Sequence, residues 1–359
     1  MGIALSAEAM SLSDALALGP EVWDGVVART EHSSPFMSWA WHRAWAGAAP
    51  AADVDASTAL VLQAADGELQ AVLPVLARRV TFRRMPVRAV TWAVGDAGCP
   101  DHLDIPAVPG ADMDAFVPAL EAMSWQVLIL TNLSETSPNA DRLCQALARR
   151  GHVARRETLW GCPRMRLPAT WDEYLATLSA TRRQTVRRKE RTLSRLHRVT
   201  LTDYPEDRFD EGWGHLVRLH EERWLSAGAF RDPMALALQT AFAREMARQG
   251  HLWLVTLDLD GVPAAAWYGF EAGDTVYFYQ SGRLPKWEGE SVGLVLMGCM
   301  IRRAIERGFT WFDFLRGEDT YKTHWTGTQR KTGEIVVFRA GWRGHWVRAL
   351  DWAAGVAHG

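Results

Sequence analysis

Hydrophobic positions along this chain switch repeatedly between an alternating and a helical period, and the order of the switches predicts a mixed α/β protein. In the first half an amphipathic stretch spans Leu12 to Arg29, after which Phe36, Trp39, Trp41 and Trp45 flank His42, with Ser38 placed to cap a helix. Two strand-like runs follow in STALVLQAADGELQAVLPVLARRV, joined by the hairpin signal Asp66-Gly67. A helix is expected over 113–123, then the buried-strand run WQVLILTNL, then a helix ending near Arg150-Gly151.

The second half repeats this grammar. Helices are expected over 171–178, 213–226 and 233–249, with a basic helix between the first two. Then come LWLVTLDLDGVPAAAWYGF, turned at Asp260-Gly261, the run VYFYQSG, a helix from Ser291 to Arg307 and the strand FTWFDFL. Each half therefore reads as helix, DG-turned hairpin, helix and apolar strand, which predicts a duplicated α+β unit built on a mixed sheet. Pro163 and Pro168 are expected to interrupt regular structure between Gly161 and Thr170. That places the join between a first domain, 1–165, and a second, 166–359.

A chain of 359 residues suits two domains better than one core, and with 48% hydrophobic residues each can bury an interior. The net charge of −2, from 40 basic and 42 acidic side chains, argues against a general nucleic-acid coat or a strongly electrostatic membrane protein but leaves room for a local basic patch. Cys99, Cys144, Cys162 and Cys299 are scattered without metal-ligand spacing, so free thiols, a cytoplasmic setting and no metal are expected. No apolar run reaches the roughly 18 residues of a membrane span, and no membrane association is expected. Met1, Gly2 and Ser6 match only the loose myristoylation pattern.

Chemistry concentrates in residues 251–325. Ser291 is a plausible N-cap, and Gly289 and Gly293 let a ligand approach a helix start whose amides suit a pyrophosphate. Alternation along FTWFDFL would send Trp311, Asp313 and Leu315 to one face and Phe312, Phe314 and Arg316 to the other, leaving Asp313 among large apolar neighbours. The next turn delivers Arg316, Glu318, Asp319, Tyr321, Lys322 and Trp325 within a few residues. His220 and Arg223 share a helix face. Arg183, Arg187, Arg191 and Arg195 form a cationic stripe, with Val186, Leu193 and Leu196 facing inward. A stripe of this kind is a solvated face, or it meets a nucleotide phosphate, an anionic acceptor or a tRNA.

The run AIERGFTWFDFLRGEDTYKTHW, with HEERW at 220–224 and the arginine-rich helix before it, resembles the BioF2-like, CelD-type branch of the GNAT acetyltransferase superfamily, related to the Fem aminoacyltransferases. The likeness is best over 170–327, and SPFMSWAWHRAW is similar to that family's amino-terminal element. It implies tandem GNAT-like domains and an enzyme that moves an acyl group from acyl-CoA, acetyl or longer, or from an acyl carrier protein, to an amine of a small molecule or peptide. GESVG is an approximate counterpart of the GNAT phosphate loop, which implies donor binding by Glu290, Ser291, Val292 and Gly293. The tyrosine-lysine motif maps onto Tyr321-Lys322 and the strand aspartate onto Asp313.

On that basis Lys322 is expected to stabilise negative charge near the reacting carbonyl or the donor phosphate, Asp313 or Glu318 to deprotonate or orient the acceptor, and Tyr321 to protonate the leaving thiolate. His220, Arg223, Gln280, Ser281, Arg316 and Trp325 are expected around the acceptor. Two other functions fit the same residues: an aminoacyl-tRNA-dependent ligase like the Fem proteins, and a catalytically silent binding module with a Trp-rich cleft. The first half has no equivalent of the 313–325 turn, so its own cleft is expected to be degenerate.

Overall fold

A computed structural model describes residues 7–224, 228–317 and 320–356. The chain divides into two compact units, residues 1–160 with 331–359, and residues 161–330. The first contains β1 (Glu8–Ser11), α1 (Leu12–Ala17), α2 (Pro20–Arg29), α3 (Trp39–Ala48), α4 (Ala51–Asp55), β2 (Ser57–Gln63), β3 (Leu69–Phe82), β4 (Met85–Trp92), α5 (Phe116–Ala122), β5 (Val127–Ser134) and α6 (Pro138–Arg149). The chain enters the second unit within β6 (Val153–Arg166). It continues through α7 (Trp171–Thr177), α8 (Ala180–Leu196), β7 (Val199–Asp203), α9 (Phe209–Trp224), α10 (Pro233–Arg248), β8 (Leu252–Leu259), β9 (Val262–Ala272), β10 (Thr275–Arg283), α11 (Val292–Glu306), β11 (Trp311–Asp313) and α12 (Thr320–Thr323). It returns to the first unit within β12 (Gln329–Phe338) and ends in α13 (Trp342–Val356).

Local chemistry accounts for several boundaries. Ser38 Oγ accepts from the Trp41 amide and starts α3, while Thr170 and Glu173 form a reciprocal capping box on α7. Gly19, at φ 89°, and Pro20 split the expected amphipathic stretch into α1 and α2. Asp260 and Gly261, both at positive φ, make the two-residue turn between β8 and β9. The expected break at Pro163 does not occur, because β6 runs through it and the Pro163 carbonyl accepts the Phe314 amide at 2.9 Å.

Both units have the same sheet connectivity. In the first, β1, β2, β3 and β4 form an antiparallel meander, β4 pairs with β5 in parallel, and β5 pairs with β12 antiparallel. In the second, β7, β8, β9 and β10 form the meander, β10 pairs with β11 in parallel, and β11 pairs with β6 antiparallel. The duplication read from the hydrophobic pattern is thus present as topology. The first sheet takes its last strand, β12, from the far end of the sequence, which is why 331–359 group with the first unit and not with 166–330 as expected. The core of the second unit packs α8 and α11 onto the sheet through Val186, Leu193, Val295, Met300 and Ile301 against Trp267, Phe278, Phe312 and Phe314. Leu196, expected to face inward, is 56% exposed, because it is the last residue of α8 and the chain turns away at His197.

Candidate active site

A cleft opens in the second unit because its parallel strands part early. β10 and β11 are in register at only three pairs, Thr275 with Trp311, Val276 with Phe312 and Tyr277 with Asp313. β11 ends there and Leu315, at φ 55°, turns the chain away. β10 carries a bulge between Phe278 and Gln280 and runs on to Arg283 with only β9 beside it. The space between holds a cleft of about 250 Å³.

The first turn of α11 forms one wall, through Ser291, Val292, Gly293 and Leu294. Ser291 begins the helix at φ 59° and ψ 39°, and its carbonyl accepts the amides of Leu294 and Val295 at 3.0 and 3.1 Å. The amides of Val292 and Gly293 come before the first intrahelical bond and carry the positive end of the helix dipole. A Cβ on Gly293 would meet only the Arg283 side chain at an ordinary 3.6 Å, and one on Gly289 would meet nothing within 4 Å, so packing does not demand glycine at either place. Three guanidinium groups face the same space, from Arg182, Arg223 and Arg283, and the single carboxylate among the described residues that line it, Glu288, is paired with Arg283 at 2.8 Å.

The residues expected at the site separate into those on the cleft and those behind it. Ser281, Ser291, Val292, Gly293, Arg223, Tyr321 and Trp325 line it. Arg223 donates to Ser281 Oγ at 2.7 Å, and its guanidinium lies 5.5 Å from the Tyr321 ring centroid. His220 lies one layer back, 1% exposed, with Nδ1 3.2 Å from the Ser281 carbonyl. That contact requires the proton on Nδ1, and burial lowers the pKa of His220, so the ring is neutral. Gln280 is also off the cleft, with Oε1 accepting the Ser281 amide at 3.2 Å. The α9 face that carries His220 and Arg223 therefore grips Ser281 by both its carbonyl and its hydroxyl. Gly282 makes this approach possible, since a Cβ there would lie 2.3 Å from the His220 amide nitrogen.

Asp313 is fully buried, outside the cleft, and not among apolar side chains as expected. Its Oδ1 accepts the Leu315 amide at 2.8 Å, and Oδ2 lies 3.6 Å from Arg330 and 4.0 Å from Arg164. The alternation holds through Phe314, since Phe312 and Phe314 both enter the core, but the opposite face is lined at Asp313 by the guanidinium groups of Arg164 and Arg330. A carboxylate so enclosed holds the turn through the Leu315 amide and does not line the cleft. Lys322 is likewise buried, 6% exposed, and its Nζ donates to the carbonyls of Arg316 at 2.6 Å and Leu315 at 3.5 Å. It is not on the cleft wall, and neither are Glu290 and Arg316. Glu318 and Asp319 lie outside the described residues.

Sequence reasoning passed over Arg182, Arg283 and His324. Arg182 sits in the first turn of α8, one position before the expected stripe, with its guanidinium 4.9 Å from the Trp325 ring centroid and its Nε buried without a partner among the described residues. Desolvation lowers its pKa. The stripe itself is engaged locally: Arg183 caps the carbonyls of Leu175 and Leu178, Arg187 pairs with Asp172, and Arg191 donates to the Arg187 carbonyl. Arg182, His324 and Trp325 also border a second, more open lobe of about 580 Å³ lined by Arg166, Thr177, Ser179, Thr323 and Thr328. His324 thus stands between two lobes, with a pKa lowered by desolvation and by Arg182. Its place in THW beside the Tyr-Lys pair was the available signal.

Residues 180–323 match the model of the acetyltransferase (GNAT) domain family. The fold of the chain is similar to that of the C-terminal domain of a putative lysylphosphatidylglycerol synthetase from Agrobacterium fabrum, at 12% identity over 89% of this chain and 92% of that one, with a TM-score of 0.56. It is also similar to FemX, at 12% identity over 92% and 96% with a TM-score of 0.57, and to L-PGS from Bacillus licheniformis, at 12% identity over 90% and 93% with a TM-score of 0.54. At such identities the likeness is one of fold. No curated protein matches the sequence. Among the described residues no cluster of His, Cys, Asp and Glu is placed to hold a metal ion. The family match thus falls within the second unit, over 180–323, and the solved structures share the fold of the chain.

Proposed function

We propose that the second unit is an N-acyltransferase that holds an acyl-CoA at the start of α11 and passes its acyl group to an amine in the adjoining lobe. The observation that carries this reading is the open splay beyond Tyr277 and Asp313, where the α11 amides and three arginines converge on one cleft. Donor phosphates would meet the Val292 and Gly293 amides, with Arg182, Arg223 and Arg283 to balance their charge. The amine nitrogen attacks the thioester carbonyl carbon, the C–S bond breaks, and the thiolate takes a proton as the amine gives one up. Tyr321, on the cleft wall under Arg223, is the acid for the thiolate. His324, neutral at pH 7, is the base for the amine. Lys322 becomes a positioning residue: by gripping the 315–316 carbonyls it sets the turn that presents Tyr321. Asp313 acts on the same turn from below.

The reading is tested by thermal shift, because a ligand of the folded state raises its melting point. Acetyl-CoA or a longer acyl-CoA should stabilise the protein, and Gly293→Val should abolish that shift without lowering the unliganded melting point. One structural neighbour bears a name that denotes a lysyl product, a putative lysylphosphatidylglycerol synthetase, which supports an aminoacyl donor as the second reading. Stabilisation by aminoacyl-tRNA and by no CoA ester would select it, and stabilisation by neither donor, with a glycan or peptide bound, would select a silent binding module.

A further inference from the structure

The first unit carries a surface that the acyl-transfer reading does not use. Three of the most exposed large apolar side chains lie on its last helix, α13: Trp342 at 76%, Trp346 at 60% and Trp352 at 73% exposed. At about 100° per residue they fall within one arc of roughly 120° on the helix face opposite Val347 and Asp351. That inner face is firmly docked. Val347 is buried with Val87, Val127, Val336 and Phe338, and Asp351 pairs with Arg83 at 2.9 Å and Arg155 at 2.6 Å. The tryptophans point outward because the helix is fixed, not because it is loose.

Beside them lies a cavity of about 460 Å³ lined by Arg79, Arg88, Arg343, Ser124, Gln126 and Trp125, with no carboxylate in its wall among the described residues. Arg79 and Arg88 are direct cross-strand partners on β3 and β4, an arrangement of like charges that costs stability unless an anion is shared between them. Arg343 joins the cavity to the aromatic face, its guanidinium 5.1 Å from the Trp342 ring centroid. The β3–β4 turn is built from Arg83 and Arg84, both at positive φ, where glycine or asparagine would be free of strain. Arg83 uses that geometry to hold Asp351, and Arg84 stays exposed.

We propose that this face docks on an anionic lipid surface, with a headgroup phosphate in the Arg79–Arg88–Arg343 cavity and Trp342, Trp346 and Trp352 at headgroup depth. Tryptophan suits that boundary because its ring is apolar and its N–H polar, and a guanidinium forks onto phosphate oxygens. Such docking lies on the membrane and does not span it, in keeping with the lack of any helix among the described residues long and apolar enough to cross. A second copy of the chain is the poorer occupant, since a twofold contact would set the same arginines against each other.

The test is cosedimentation of the full chain with vesicles of phosphatidylcholine alone or mixed with phosphatidylglycerol. Binding is expected only to the anionic vesicles, and it should weaken with salt. Trp342→Ser/Trp346→Ser/Trp352→Ser should abolish it. Arg79→Ser/Arg343→Ser should weaken it roughly twenty-five-fold, at about fivefold for each arginine, with the melting temperature lowered in neither variant. Equal binding to neutral vesicles, or none to either, overturns the proposal. So does full release by soluble glycerol phosphate, which would make the occupant a free phosphate ester, or a dimer that the tryptophan variant dissolves, which would make it a second copy.

Discussion

The two units share one sheet connectivity and differ in what occupies the gap between their parallel strands. In the second, the gap is an open cleft beside the first turn of α11. In the first, β4 and β5 are also in register at only three pairs, Ala89 with Val127, Val90 with Leu128 and Thr91 with Ile129. Beyond them, however, the chain fills its own gap. Leu103 bridges to Leu133, Ala107 bridges to Ala71, and the amides of Val72 and Val108 donate to the carbonyls of Pro106 and Gln70. A cavity of only about 20 Å³ remains there. The loop also satisfies a helix start: Asp104 accepts the amides of Asn139 and Ala140 at the head of α6 at 3.1 and 2.8 Å. One unit meets its amides with its own carboxylate, and the other leaves α11 open to a ligand. The difference supports reading the first cleft as degenerate and the second as active.

The comparison can be broken most severely at Gly282, where a Cβ would collide with the α9 backbone. Gly282→Ala should cost about 3 kcal/mol of stability and remove activity, measured by thermal melts and turnover. Gly293→Ala, at a position with room to spare, should leave the melt within about 1 kcal/mol of wild type while raising the donor KM. Equal destabilisation by the two would show that the α11 opening is a packing feature and not a ligand seat.

Asp104 sharpens the contrast from the other side. Desolvation, partly offset by its three amide donors, raises its pKa from 3.8 to about 6. The folded state therefore holds the proton more tightly than the unfolded chain does. The stabilisation is full below pH 3.8 and is lost as the pH rises through 6, a cost on the order of 3 kcal/mol at neutral pH. Asp104→Asn should lose less stability than wild type between about pH 4 and pH 7, measured by denaturant titration at each pH, and acyl transfer should be unaffected.

Smaller effects are expected within the open cleft. Tyr321→Phe should lower kcat at least about tenfold, near 1.4 kcal/mol of barrier, with the donor KM little changed. His324→Gln should remove the acid limb of the kcat/KM profile. In wild type that limb lies below the ordinary histidine pKa of 6.5, because desolvation and Arg182 hold the ring neutral. A profile unaltered by His324→Gln would assign the base elsewhere.

Much of the fold was legible because its signals are local. The DG turns, the Ser38 and Thr170 caps and the two hydrophobic periods depend on neighbours within a few residues. The start of α11 was legible for the same reason, as glycines and a serine before an apolar helix. The placement of Asp313 and Lys322 behind the cleft was not legible, because where a side chain ends up depends on which distant groups surround it. Asp313 meets Arg164 and Arg330, which come from strands at either end of the second unit's sequence. Arg182 escaped notice because one helical position separates it from the stripe that stood out, and only packing against Trp325 distinguishes the two faces.

Composition, period and turn chemistry by themselves determined that this is a duplicated α/β chain with its candidate site in the second half, since each of those properties is carried by residues close in sequence. Which gap between parallel strands stays open, which arginine enters it and which strand completes each sheet were decided only by tertiary structure. Those outcomes depend on contacts between segments tens to hundreds of residues apart, where a hydrogen bond or a steric clash has no trace in the local pattern.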